Sequence, residues 1–238
     1  MNKKTMIAVS AALALSCAFA GPKNKPKAMA GADEMMTTGK GAKILVDQAP
    51  RIGKAACMTA PSLQGGTQIG QCYKKPRNWI VLETKYTTYG TEVSRFLDQL
   101  TFTWHVLLET KTATENKGNK EGLAPYSYFS TSMTYFNIPY GSHASSVVLP
   151  PSYLERYGEP KACGFTITNQ NGDELFSGSV SEIQGIKNND KFWDNNDIMN
   201  KTSGPGGKPL IERRQGLLDR SKTIWGLVNP NDYETTLQ

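Results

Sequence analysis

The chain has 238 residues, with 27 Lys or Arg against 21 Asp or Glu and two His, for a formal net charge of +6. The excess lies towards the front: seven basic and three acidic residues fall between Gly21 and Cys72, a net of +4, while from Tyr73 onward eighteen face eighteen. A neutral body excludes a nucleic-acid domain, whose folded face would itself be basic, and the basic stretch fits a tail that rests on an anionic envelope surface or stays solvated.

Met1-Asn2-Lys3-Lys4-Thr5 is a short positive segment, Met6 to Leu15 is apolar, and Ala18-Phe19-Ala20 follows. That order is what the export machinery and its peptidase read, so residues 1–20 are expected to be a cleaved signal peptide, with the working chain starting near Gly21. The apolar run is shorter than the roughly 20 residues a membrane-spanning helix needs, and no later run approaches that length. A lipoprotein site at Cys17 is the weaker reading, because Ala14 stands where a branched apolar residue is usual. The type IV prepilin signal, Gly-Phe-Thr followed by a long apolar helix with an early Glu, finds no match. The remaining 218 residues suffice for one sizeable domain or two small ones.

Residues 21–72 contain no aromatic side chain and are rich in Gly, Lys, Ala, Pro and Met. Such a segment buries too little apolar surface to offset its ordering entropy. The reading is a flexible basic tail, with 21–55 as a tether and Lys43-Ile44-Leu45-Val46 as an isolated strand within it. Three cysteines remain after cleavage, Cys57, Cys72 and Cys163. In an oxidising compartment Cys57 and Cys72 are the candidate disulfide, closing a Gly-rich loop and contributing on the order of 3 kcal/mol through the unfolded chain. Cys163 then stays a buried thiol or takes one of the other two as its partner.

The folded domain, 73–238, is expected to begin in earnest near Arg77. Asn78 to Glu83 is a short apolar run rich in strand formers. Between 99 and 110, Leu100, Phe102, Trp104, Val106 and Leu108 alternate with Thr101, Thr103, His105 and Glu109. One packed and one wetter face implies an antiparallel sheet. Lys111 to Pro125 reads as an exposed loop. Tyr126 to Ile138 and Ser145 to Leu149 read as strands, and Ser152 to Tyr157 as a helical turn closed by Gly158. Gly164 to Thr168 and Glu174 to Val180 flank Asn171-Gly172-Asp173, the strongest hairpin signal in the chain.

After Ser203-Gly204-Pro205-Gly206-Gly207, which breaks the pattern, 203–238 forms a C-terminal helical or irregular segment. In it Leu210/Ile211, Leu217/Leu218 and Ile224/Trp225 recur at seven-residue intervals. That spacing predicts one apolar stripe of a helix over 210–228, opposite Arg213, Arg220 and Lys222, weakened at Gly216. Strands this short and this numerous predict an all-β, immunoglobulin-like β-sandwich, although the Cys…Trp…Cys signature of antibody domains is missing.

The residues offer little for catalysis, and no cofactor or metal is implied. His105 with Glu109, on the wetter face, reads as a solvated or hydrogen-bonded histidine. His143, in a loop beside Ser142, has no Gly-x-Ser-x-Gly elbow nearby. The acidic-amide run Asn188 to Asp197 is interrupted by Phe192-Trp193, and turn and capping chemistry explains it better than calcium. No phosphate-binding glycine loop or Cys-x-x-Cys spacing is present. Tyr126, Tyr128, Tyr135, Phe136 and Tyr140 form an aromatic cluster; Tyr126, Tyr128 and Tyr140 are the candidate sugar-stacking residues, and the alternative is a strand packing its aromatic face into the core.

Gly141 to Leu154, the hairpin Gly164 to Val180, and the tail with Phe192-Trp193, Leu217-Leu218 and Trp225 resemble, together with the signal peptide, the pilus-like proteins of verrucomicrobial gut bacteria. The likeness covers residues 75–235. It implies a secreted immunoglobulin-like sandwich with no catalytic residues, linked to a type IV pilus gene cluster. The expectation is an exported, periplasmic, outer-surface or secreted protein that acts by protein–protein contact in an envelope or pilus assembly, with possible homo-oligomers. Leu210, Ile211, Leu217, Leu218, Ile224 and Trp225 are its candidate contact residues, along with sheet edges and the tail. The alternative is a carbohydrate-binding or adhesive module.

Overall fold

A computed structural model describes residues 36–37, 43–60, 77–90, 95–110, 123–202, 207 and 209–228. The signal peptide, Cys72 and the 111–122 stretch lie outside the described residues. Two sheets face each other. Sheet A runs β1 (Met36–Thr37), β2 (Lys43–Gln48), β4 (Asn78–Tyr89), β7 (Gly141–Leu149) and β11 (Leu218–Asp219), and β3 (Cys57–Thr59) also pairs with β4. Sheet B runs β10 (Ile211–Arg214), β6 (Tyr126–Pro139), β5 (Phe96–Glu109), β8 (Glu159–Thr168) and β9 (Glu174–Ser181). The all-β sandwich is therefore the architecture, with short helices α1 (Pro151–Tyr157), α2 (Asn196–Met199) and α3 (Ile224–Val228).

The alternation in β5 dictates the core. Leu100, Phe102, Trp104, Val106 and Leu108 are fully buried between the sheets, with Tyr86, Phe129, Met133, Tyr135, Phe165 and Phe176. Phe102 lies 5.0 Å from Tyr86 and 5.5 Å from Tyr135, ring to ring, which is the range where tilted and edge contacts are favourable. Ser145 of β7 accepts from Trp104 Nε1 at 3.1 Å and from Tyr135 Oη at 2.9 Å. Those two bonds tie sheet B to sheet A and satisfy the polar ends of two core aromatics. Helix α1 begins at Pro151, is capped by Gly158 at φ 83°, and lays Tyr153 and Tyr157 edge-on against Phe129.

Three expectations are corrected. The tether over 21–55 is too long: Lys43–Gln48 is no isolated strand but pairs antiparallel with β4, and Ile44 and Val46 are 1% exposed in the core. Its lack of aromatics is compensated by β4, which supplies the partner backbone and Tyr86. The helix over 210–228 is replaced by β10, β11, a 3-10 turn (Arg220–Lys222) and α3. Gly216, at φ 117°, breaks the run, and the seven-residue recurrence reflects a strap passing from one sheet to the other. His143 sits on β7, not in a loop, and its Nε2 lies 2.6 Å from Pro139 O and 3.2 Å from Thr88 Oγ1.

Candidate interaction surface

The outer face of sheet B divides into two halves. Its rows follow from the register: Leu107, Tyr128 and Ala162 align, then His105, Ser130 and Gly164, then Thr103, Ser132 and Thr166, then Thr101, Thr134 and Thr168. Residues 183–202 and 209–211 cover the first two rows. Phe192, Met199, Ile186 and Ile211 form a second apolar cluster there with Leu107, Tyr128 and Ala162. Trp193 stacks on His105 with ring centres 4.2 Å apart and planes 6° apart. The indole also lies over Gly164, where a Cβ would come within 2.3 Å of Trp193 Cζ3, so only glycine admits it.

Of the two readings for His105, the hydrogen-bonded one holds: the ring is buried, at 8% exposure, and bonded to Tyr128. Burial lowers its pKa from 6.5 to about 4. The ring is accordingly neutral, and its Nδ1 is hydrogen-bonded to the Tyr128 hydroxyl at 2.6 Å. Tyr128 in turn is held above its ordinary pKa, first by burial, and Arg213 sits 5.8 Å from its ring centre. This is a polar pair under an aromatic cover, with Ser130 opposite His105 in the register. A cavity of about 140 Å³ remains under the same cover, lined chiefly by Leu107, Ile183, Ile186, Ile198, Leu210 and Ile211.

The other half of the face carries hydroxyls: Thr101 meets Thr134 at 3.0 Å and Thr103 meets Ser132 at 2.9 Å. It continues to the β6 edge. β10 pairs in parallel with Tyr126 to Phe129 only, so among the described residues no strand is paired with β6 beyond Phe129 on that side. Phe136 there is 40% exposed.

The expected contact and sugar residues disperse. Leu210 is half-buried in the cavity wall and Ile211 is buried in the second cluster, whereas Leu217 is buried in the main core. Leu218 pairs opposite Val148, and it, Ile224 and Trp225 are half-buried. Tyr126 is half-buried with its hydroxyl 3.5 Å from Glu109, Tyr128 is buried, and Tyr140 packs over Gly90 in a different place. The three therefore form no common platform. Cys163 is fully buried in the core, which pushes its thiol pKa up. The expected Cys57–Cys72 bridge includes Cys72, outside the described residues; Cys57 opens β3, half-buried. The acidic-amide run makes turns: Asn195 accepts from the Asp197 N–H at the start of α2, Asn188 from Ser181 N–H, and Asp190 from Lys187 N–H.

Sequence reasoning missed the covered half and the open edge. The signals were Gly164, which the aromatic pair Phe192-Trp193 covers, and a strand without charge: Tyr126–Pro139 contains no Asp, Glu, Lys, Arg or His.

The model of one protein family matches residues 52–215 of the 238, and the chain belongs to that family. A crystal structure of a protein from Akkermansia muciniphila, a verrucomicrobial gut bacterium, aligns with a TM-score of 0.57 at 17% identity, covering 84% of this chain and 96% of that one. At that identity the likeness concerns the fold. No curated protein matches the chain.

Proposed function

We propose, starting from the chain's membership of the family matched over 52–215, that it is an exported, non-enzymatic sandwich acting by protein–protein contact in a cell-surface or pilus-associated assembly. The observation that carries this reading is the β6 edge. Backbone groups left unpaired at a sheet edge are a docking template that natural proteins usually guard with charge or proline. β6 is fourteen residues long, open on one side past Phe129 among the described residues, and uncharged throughout. An edge left in that state in a secreted protein is a contact surface. Membership of that family supports the cell-surface setting, with any pilus role that of a partner or adaptor. The half-buried strap residues Leu218, Ile224 and Trp225 remain contact candidates, while Ile211 and Leu217 serve the interior.

Fractionation of the native organism tests this. The protein is expected to follow sheared surface filaments or washed envelope, and to leave the filament fraction when the pilus gene cluster is deleted. Recovery solely as free protein in the medium overturns the reading.

A further inference from the structure

We infer that the partner at the β6 edge is a second copy of this chain, paired antiparallel through Ser130–Phe136 so that sheet B runs continuously across a two-fold axis. The inference deepens the contact reading above by naming the occupant.

Direction comes first. Tyr126 N–H donates to Leu210 O, on the β10 side, and the β5–β6 register is unbroken from Tyr126 to Phe136. N–H and C=O of one residue point the same way in a strand, and successive residues alternate. The backbone groups of Ser130, Ser132, Thr134 and Phe136 therefore point away from β5. Beyond Phe136 the strand distorts: Asn137 is at φ 52°, which sets the far limit of the free edge as β10 sets the near one.

Chemistry then selects the occupant. An uncharged edge offers nothing by which to choose a charged partner strand, but lets an identical strand approach without like charges opposed. Centred on Met133, the pairing sets Ser132 opposite Thr134 and Ser130 opposite Phe136. Hydroxyl would face hydroxyl across the axis, as Ser132 already faces Thr103 and Thr134 faces Thr101 within one copy. About six backbone hydrogen bonds would form, two for each Ser132–Thr134 pair and one for each Ser130–Phe136 pair, because the Arg214–Phe129 step of the parallel β10–β6 ladder already engages the Ser130 N–H. The opposite edge of the same sheet is defended. Asn189 N–H takes Ser179 O, Asn188 Oδ1 takes Ser181 N–H, and Lys191 and Glu174 plant an ion pair at the start of β9. The contrast within one sheet marks β6 as the edge left available.

The test is sedimentation over a concentration series with the protein exported and processed by its host. Two variants accompany it. Thr134→Pro removes an outward N–H and no β5–β6 bond, a substitution edge strands tolerate; Ser132→Lys with Thr134→Lys sets lysine against lysine across the axis. The expected result is a concentration-dependent dimer whose dissociation constant each variant raises roughly tenfold or more, with thermal unfolding of the monomer retained. A wild-type chain that stays monomeric at all concentrations overturns the inference, as does a dimer indifferent to both variants. Monomers that still travel with surface filaments sink the second copy and leave the contact reading standing. A dimer lost in Thr134→Pro, from a protein found free in the medium, supports the pairing and sinks the surface role.

Discussion

At the scale of single residues, His105 and Trp193 show how a polar group becomes structural. A neutral imidazole with its pKa lowered to about 4 is accommodated by the Tyr128 hydroxyl and an indole stacked at 4.2 Å. The unfolded chain takes up a proton near 6.5 and the folded chain resists until about 4. Stability contributed by this site is therefore complete above pH 6.5 and is lost as pH falls through that window. Between pH 6.5 and 5 the loss is expected to reach about 2 kcal/mol. In urea titrations at stepped pH, His105→Gln should show a flatter dependence than wild type across that interval. Equal slopes would mean that the ring is not buried neutral. The charged neighbours of the pair, Arg213 beside Tyr128 and Asp194 further off, are unchanged in the comparison.

At the scale of elements, the two departures from expectation have one cause, which is that a strand's stability belongs to its neighbours. Lys43–Gln48 has the alternation of a strand, but its composition reads as tail because nothing local shows that β4 waits beside it. Ile44→Ala should cost about 3 kcal/mol in a denaturant titration, an effect a tether would not show. The 210–228 stripe fails for the reverse reason. Its spacing fits a helix, yet Leu217 completes the main core and Ile211 the second cluster, on different faces of different strands. Leu217→Ser should destabilise by about 3 kcal/mol, whereas Leu218→Ser, half-buried, should cost under about 1 kcal/mol. Where burial follows from one strand's own alternation, as in β5, or from a local turn, as at Asn171-Gly172, the sequence was legible. Where it depends on a segment distant in the chain, as with Trp193 over Gly164, it was not. The candidate edge was legible only as an absence of charge in β6, which gains meaning once β10 is seen to stop at Phe129.

At the scale of the molecule, two apolar clusters share sheet B, one between the sheets and one beneath residues 183–202 and 209–211. The sheet is thus covered fully on one face and half on the other, and the uncovered half holds the hydroxyl rows. The same stretch that covers the face also runs along β9, through Asn188, Asn189 and Lys191. Among the described residues, and on the pairing inferred above, sheet B therefore has a valency of one: a single edge able to accept a strand, and an opposite edge already taken. A subunit of that kind closes a pair or caps the end of a growing ladder, and cannot pass the ladder on through this sheet. Stoichiometry is written into the loop after β9, because freeing that edge would turn a terminator into a propagating unit.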